Sequence, residues 1–592
     1  MLTTRWQRAA LVLLLVVATW GCFYGLGAIP LLDDPNEAQY AEVARELIET
    51  GDWLSPRLNY APFLNKPPLA YWLIALADEA FGVSELAARV PSALAGIAIV
   101  ALLVWLGALL FDTQTGLLAG FILLATGGFF IETHEVRPDL LLTAAIVGAL
   151  IAVTYVLRRQ ARRTRGGHRA VSGGGTRSTE ARWSLLALQG CLATGLLAKG
   201  MLGVVVPVCV IAVLVVTERR ADALALFHPR RWWPFVLLAA PWHVVASLRH
   251  PGFLQDYVVN QHILFFFDQK VPRDSVPVPL GVFWQAFALR LFPWTLFAPL
   301  AIFAAIRRVL SAADSAADRM LLTWAATVLL LFSAASSRME HYSIPAVPAL
   351  SLLIAKLFRD YARGTDALGR RVVTAHVLGN AVLALATPFL VPGVVAAQSW
   401  LTPLPELPAL ARSVFALFAG GACIAAGAAL AEWREPVPFA VVAAFVVAIP
   451  SIHHGLTLLS RIDSSAGLVA IVRQIAAPGS RVVYDAPVEY QSCAGLNFYL
   501  RRKLDLLPAA GFVPPRYLHR NDLFITRSAL EQMWRNQPVV LVTGLAAAHG
   551  SVDGTVPQPF YVVAHDHARQ VISNQPLAGD VGPRTAVSTG LP

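Results

Sequence analysis

Runs of apolar residues long enough to cross a bilayer, about 20 residues each, alternate with short polar clusters from Leu11 to Pro450. The pattern predicts about thirteen membrane helices, over residues 11–29, 88–110, 116–132, 138–157, 184–199, 201–217, 232–248, 280–305, 318–335, 343–358, 372–392, 410–431 and 437–451. Beyond Ile452 the pattern changes. A helical period at Leu468–Ala476, short apolar runs at Val482–Tyr484, Val539–Val542 and Tyr561–Ala564, and the Gly and Pro between them predict a small soluble α/β domain. The chain therefore divides into a polytopic α-helical membrane domain at 1–451, with polar loops at 30–87 and 249–279, and a C-terminal domain at 452–592.

Composition narrows the class. With 56% hydrophobic and 14% charged residues over 592 positions, the chain is too apolar to be one soluble globule. Its first apolar stretch follows Arg5 and Arg8 but lacks a small-residue cleavage site, so it reads as an uncleaved helix. A lipoprotein reading of Cys22 fails on the bulky Trp20. Cys22, Cys191, Cys209, Cys423 and Cys493 are too scattered for a disulfide framework or a metal knuckle.

The net charge of +10 does not point to nucleic acid, because the basic residues concentrate in particular loops. Arg158, Arg159, Arg162, Arg163, Arg165, Arg169, Arg177 and Arg182 fill one; Arg219, Arg220, Arg230 and Arg231 fill another. The positive-inside rule puts these loops in the cytoplasm. Arg307, Arg308 and the run from Lys356 to Arg371 fall at junctions of the same parity. The N-terminus is then cytoplasmic, and an odd number of crossings puts the C-terminal domain on the periplasmic side of a bacterial inner membrane.

The polar clusters fall at the opposite junctions. After the first apolar stretch comes Asp33-Asp34-Pro35-Asn36-Glu37-Ala38-Gln39-Tyr40, then Asn65-Lys66-Pro67-Pro68. Later junctions carry His134, Glu135, Arg137 and Asp139; Lys199-Gly200; Asp256, Tyr257, Asn260, Gln261 and His262; and Arg338-Met339-Glu340-His341-Tyr342. Each has a bland explanation alone, since Asp139 can complement a helix dipole and Lys199 can snorkel. Their convergence on one side favours function.

A lipid-phosphate sugar donor presents an anion at the membrane surface, and Lys66, Arg137, Lys199 and Arg338 are suited to neutralise it. Phosphate is a weak base as a leaving group, so cations can stabilise its departure without a strong general acid. An acceptor hydroxyl needs a base, and Asp34 and Glu37 are the candidates. If the acceptor is itself a phosphate, the carboxylate orients it instead.

The motifs Pro35-Asn36-Glu37-Ala38-Gln39-Tyr40-Ala41-Glu42, Gly51-Asp52-Trp53, Lys66-Pro67-Pro68, Arg137-Pro138-Asp139, Lys199-Gly200, Asn260-Gln261-His262, Phe292-Pro293-Trp294 and Ser337–Pro345 resemble those of the lipid A aminoarabinose transferases and of bacterial relatives of protein O-mannosyltransferases. The resemblance covers roughly residues 1–360. It implies a GT-C fold, a periplasmic active site, a polyprenyl-phosphate-linked pentose or hexose, an inverting transfer, and a lipid, glycan or protein acceptor of the envelope. Within these motifs Tyr40 and Tyr342 join the donor-binding set, and Asn36, Asp139, Glu340 and His341 the acceptor or orienting set. The residues alone imply no cofactor; the resemblance brings in a divalent metal, with Asn65 and His262 at its ligand positions. Three positions depart from the family pattern: Asn36 replaces a carboxylate, Gln39 an arginine and Asn65 an acid. A transporter or lipid flippase is the alternative reading, but it predicts charge near the bilayer midplane and repeated halves. A non-catalytic scaffold leaves the polar clusters unexplained.

Overall fold

The computed structural model describes all residues except 1–3, 34–36, 166–173, 218–230, 274–275, 312–314, 365–366, 477–478, 486–489, 509–511, 519–522, 545–556, 566–568 and 577–592. Asp34, Asn36, Arg169, Arg219, Arg220 and Arg230 fall among these, whereas Arg158 to Arg165 and Arg177 and Arg182 extend helices Asp139–Arg165 and Gly174–Lys199. Each of the thirteen expected stretches contains helix. Among the described residues, 8 helices are long and apolar enough to cross a membrane, and 9 if a bent pair counts as one crossing. The protein is a multi-pass helical membrane protein. Other expected crossings are shorter or broken: 201–217 holds the 16-residue helix Leu202–Thr217, and 280–305 is split into Leu280–Arg290 and Phe297–Ser311; 343–358, one of the 8, begins as a 3-10 turn, Glu340–Ala346. The last crossing continues as helix to Asp463, beyond its expected end at 451.

Helices Thr113–Leu124 and Gly127–Thr133 meet at 70°. A break in a buried helix strands carbonyls, and here side chains satisfy them. Trp294 Nε1 donates to the carbonyls of Ile122 and Ala125 at 3.0 and 2.9 Å, and Thr126 Oγ1 donates to Ile122. Gly128 lets the short helix press on Leu280–Arg290, since a Cβ there would lie 2.5 Å from Arg290 Cβ. The bend carries the chain from the apolar helix into the polar turn at His134–Pro138.

The 30–87 loop is folded rather than extended. It holds helices Glu37–Thr50 and Leu69–Phe81 and a small hairpin of β1 (Arg57–Leu58) and β2 (Ala61–Pro62). The C-terminal region holds β3 (Arg481–Asp485), β4 (Asp505–Leu507), β5 (Val539–Gly544), β6 (Tyr561–His565) and β7 (Arg569–Ser573). They form one mixed sheet in the order β4-β3-β5-β7-β6, with β3 parallel to β4 and β5, and β7 antiparallel to β5 and β6.

Ala38, Val43, Phe63 and Tyr71 of the first loop share one apolar core with Leu468, Val482, Phe498 and Tyr517 of the C-terminal region. Polar contacts lock the seam. Asn59 Nδ2 donates to the Leu504 carbonyl at 2.9 Å, and its Oδ1 accepts from Asn497 Nδ2 and the Leu504 N–H, both at 2.8 Å. Burying the Asn59 amide is favourable because its oxygen and nitrogen both bond the C-terminal region.

Candidate active site

A polar cavity of about 650 Å³ opens where the helix ends meet the folded loop. Gln39 and Tyr40 come from helix Glu37–Thr50, and Asn65 and Lys66 from the turn after β2. Arg137, Pro138 and Asp139 come from the start of helix Asp139–Arg165, and Lys199 from the last position of helix Gly174–Lys199. Phe265, Met339, His341 and Tyr342 come from two later junctions, and Gln491 from the C-terminal 3-10 turn Tyr490–Cys493. Four of the five polar junctions singled out in the sequence therefore bring their named residues to one cavity, and the fifth, at 249–279, brings Phe265.

Its charges are unevenly paired. Lys199 Nζ hydrogen-bonds Asp139 Oδ1 and stands 4.7 Å from the Tyr342 ring centroid. Asp139 Oδ2 is buried without a hydrogen bond, and Asp139 is the only acid among the described lining residues. Arg137 lies 3.1 Å from Glu135 and 3.6 Å from Glu132, but neither contact is aligned as a hydrogen bond, and Nε and Nη1 have no hydrogen-bond acceptor. Lys66 Nζ lies 5.7 Å from the Phe265 ring centroid. Burial, together with the nearby Lys199 charge, pushes the Lys66 ammonium down to about 8. Donors left open on a buried Arg137, beside two lysines that share one acid of the cavity lining, make a site ready for a further anion.

Four candidates from the sequence lie elsewhere. Glu37 is fully buried, and its carboxylate accepts from Arg89 Nε and Nη2 at 2.7 and 2.8 Å, from the Val136 N–H at 3.0 Å and from the Leu32 N–H at 2.9 Å. It ties together the loop after the first helix, helix Glu85–Leu110 and the residue before Arg137. Arg338 donates to the carbonyls of Phe332, Ser333 and Val278, each at 3.3 Å, which caps the end of helix Ala316–Ala334. Glu340 is exposed. His262 packs on the turn after Lys199: Gly200, at φ +80°, leaves room that a Cβ would close to 2.5 Å from His262 Nε2.

The residues do not fit a metal. His262 Nδ1 lies 2.6 Å from the Tyr257 carbonyl and Nε2 accepts from the Met201 N–H at 3.4 Å, so both ring nitrogens serve the backbone. Asn65 Oδ1 accepts from the Tyr517 hydroxyl and from Gln261 Nε2. Among the described residues, no group of three or more His, Cys, Asp or Glu could hold an ion.

Sequence reasoning missed Glu132, Arg290 and Gln491. Glu132 Oε1 pairs with Arg290 Nη1 at 2.9 Å and faces Arg137. The available signal was an acid and an arginine within stretches expected to cross the membrane, where ionisable residues mark function by default. Gln491 carried no local signal, since only tertiary packing brings it to the cavity.

Residues 9–254 match the family described as dolichyl-phosphate-mannose-protein mannosyltransferase. The undecaprenyl phosphate-alpha-4-amino-4-deoxy-L-arabinose arabinosyl transferase of Yersinia pestis (strain Pestoides F) is 28% identical over 334 residues, 56% of each chain. Its counterpart in Aeromonas salmonicida (strain A449) is 28% identical over 324 residues, 54% of this chain and 55% of that one. The chain thus matches only about half the length of these curated relatives. The crystal structure of ArnT from Cupriavidus metallidurans bound to undecaprenyl phosphate is similar with a TM-score of 0.78 at 21% identity, covering 97% of this chain and 99% of that one. The resemblance read from the sequence is borne out.

Proposed function

We propose that this chain, a membrane protein with the GT-C fold of the aminoarabinose transferases, moves a sugar from a polyprenyl-phosphate carrier to an acceptor such as lipid A or another envelope lipid, glycan or protein. The observation that carries the reading is the cluster of Lys66, Arg137 and Lys199 around one cavity at the helix ends. The protein sits in a bacterial inner membrane with thirteen crossings, its N-terminus cytoplasmic, and the cavity and C-terminal domain on the periplasmic side. The convergence of the odd-numbered junctions on one cavity supports that parity.

In this reading the carrier phosphate binds Lys66, Lys199 and Arg137, with the Tyr40 and Tyr342 hydroxyls beside it. The sugar–phosphate bond breaks as an acceptor oxygen attacks the opposite face of the anomeric carbon, inverting it. The three cations take up the charge left on the phosphate. Asp139, through the oxygen not committed to Lys199, accepts the proton of an acceptor hydroxyl or orients an acceptor phosphate. Asp34 is the second candidate for that base, with Asn36 and His341 orienting the acceptor. Glu37 acts as a positioning residue, because its lone pairs hold the strand of chain that presents Arg137. Arg338 and Glu340 act around the site rather than in it. The alternative of a transporter finds less support: Asp139 and Lys199 stand at helix ends and Lys66 and Arg137 in turns, not along a path through the bilayer.

The test is transfer of radiolabelled sugars from a panel of undecaprenyl-phosphate donors, 4-amino-4-deoxy-L-arabinose included, to lipid A and other membrane lipids by the purified chain in lipid. Transfer abolished by Lys66→Ala, and by Asp139→Asn or Asp34→Asn, in folded protein supports the reading. Transfer indifferent to Lys66→Ala, or no transfer from any donor by folded protein, overturns it.

A further inference from the structure

The turn that presents Lys66 to the cavity is held by a residue from the far end of the chain. Tyr517 is buried, and its hydroxyl donates to Asn65 Oδ1 at 2.9 Å while accepting the Leu64 N–H at 3.2 Å. One phenol thus grips two consecutive residues immediately before Lys66. Gln261 Nε2, from the π-helical segment Asp256–Leu264, donates to the same Asn65 oxygen at 3.3 Å. On the other side of Lys66, Pro67 and Pro68 fix their own φ angles and confine Lys66 to extended backbone. The backbone of Lys66 is therefore pinned from both directions, while its side chain lines the cavity, its ammonium 5.7 Å from the Phe265 ring centroid.

We infer that Tyr517 is a positioning residue for the carrier phosphate: the C-terminal region, through this one hydroxyl, sets where the Lys66 ammonium stands. The inference rests on the donor reading above and deepens it. A cation stabilises a bound phosphate in proportion to how well its position is fixed in advance, since a wandering lysine must lose that freedom on binding. The seam that carries Tyr517 is itself anchored by Asn59 with Asn497 and Leu504, so the grip is transmitted from a folded sheet rather than a loose tail. The same geometry explains how a soluble region influences chemistry at a membrane surface: it buttresses the turn from behind and leaves the cavity side open to ligand.

The experiment titrates bare undecaprenyl phosphate into the full chain in lipid, for the wild type, Tyr517→Phe, Lys66→Ala and the double variant, with thermal melting to report folding. Tyr517→Phe keeps the ring and removes the hydroxyl, and the loss of one such hydrogen bond weakens carrier affinity about fivefold. Because Tyr517 acts through Lys66, the double variant binds no more weakly than Lys66→Ala alone. The pH above which affinity falls also moves upward in Tyr517→Phe, as the released ammonium regains water, a shift that a purely structural role would not produce. If Tyr517→Phe fails to fold, Asn65→Leu removes the same contact from the turn itself and is measured against the same cycle. Unchanged affinity in folded Tyr517→Phe, or losses that simply add in the double variant, overturns the inference. A wild type that does not bind the carrier, or a Lys66→Ala variant that binds it normally, removes the donor reading and this inference with it; loss confined to Lys66→Ala removes only the role of Tyr517.

Discussion

Two buried ionic clusters lie close together in this protein, and they are built differently. In the first, Arg89 uses all of its guanidinium donors: Nε and Nη2 bond Glu37, and Nη1 and Nη2 bond the carbonyls of Leu26, Ile29 and Pro30. Glu37 is equally saturated. In the second, around the cavity, Arg137, Asp139, Glu132 and Glu135 each keep at least one buried polar atom without a hydrogen bond. A closed network fixes a fold, whereas an open one leaves interaction energy for a ligand to complete. On the proposed reading the difference separates residues that shape the site from residues that meet the substrate, although both sets contain acids and bases removed from solvent.

The comparison breaks most visibly if the closed cluster is opened. Arg89→Ala leaves the Glu37 carboxylate buried without its partner, at a cost of about 3–5 kcal/mol, so little folded protein should be recovered from membranes. Normal yield and normal carrier binding by Arg89→Ala would show that this cluster is not the keystone its bonding suggests. Lys66→Ala should do the reverse, because Asp139, the acid that shares its cavity, keeps its hydrogen bond to Lys199. Folding should be kept, while affinity for undecaprenyl phosphate falls roughly ten- to a hundredfold, the worth of a hydrogen bond to a charged group. A variant that loses stability instead would place Lys66 with the structural set.

The sequence showed one of these clusters and hid the other. Lys66, Arg137, Asp139 and Lys199 stood out because each interrupts an apolar pattern at a helix junction, and the positive-inside parity put all of those junctions on one face. Glu37 stood out for the same reason and drew a catalytic role, because its partner Arg89 lies 52 residues away inside a stretch dominated by apolar residues. Glu132 with Arg290, 158 residues apart, and Asn65 with Tyr517, 452 apart, were illegible for the same cause. Hydrophobic periodicity reports which face of an element is buried, not which element covers it. The crossings themselves were legible wherever they are long. The broken ones, such as the 70° bend after Leu124, depend on partners like Trp294 that close the break from a segment distant in sequence.

A smaller effect sharpens the open side. Burial and the Lys199 charge hold the Lys66 ammonium at about 8, and only its protonated form attracts phosphate. Carrier affinity should be level below that value and fall as pH rises through it, by up to about tenfold per unit once the lysine is neutral. The sign follows from the depressed value: an ordinary lysine would hold its charge to about 10.4. In Lys66→Ala the decline near 8 should vanish. A wild-type profile that stays level to pH 10 would mean that the free site does not hold Lys66 in the buried setting described.

Glu132→Gln sharpens the comparison further, since Glu132 stands between the two designs. One of its carboxylate oxygens pairs with Arg290 at 2.9 Å and faces Arg137 at 3.6 Å, while the other has no hydrogen bond. If it belongs with the cavity, its charge serves to aim Arg137 without fully engaging it, and the amide should keep the shape but lose the aim. Carrier affinity should then drop about threefold, a loss of the size expected when one misaligned charge contact is weakened, with thermal stability nearly unchanged. If it belongs with the scaffold, the order reverses: Arg290 is left half-buried without its anion, stability falls by about 3 kcal/mol, and whatever folds binds the carrier normally. Melting and titration of the same variant therefore assign Glu132 to one cluster or the other.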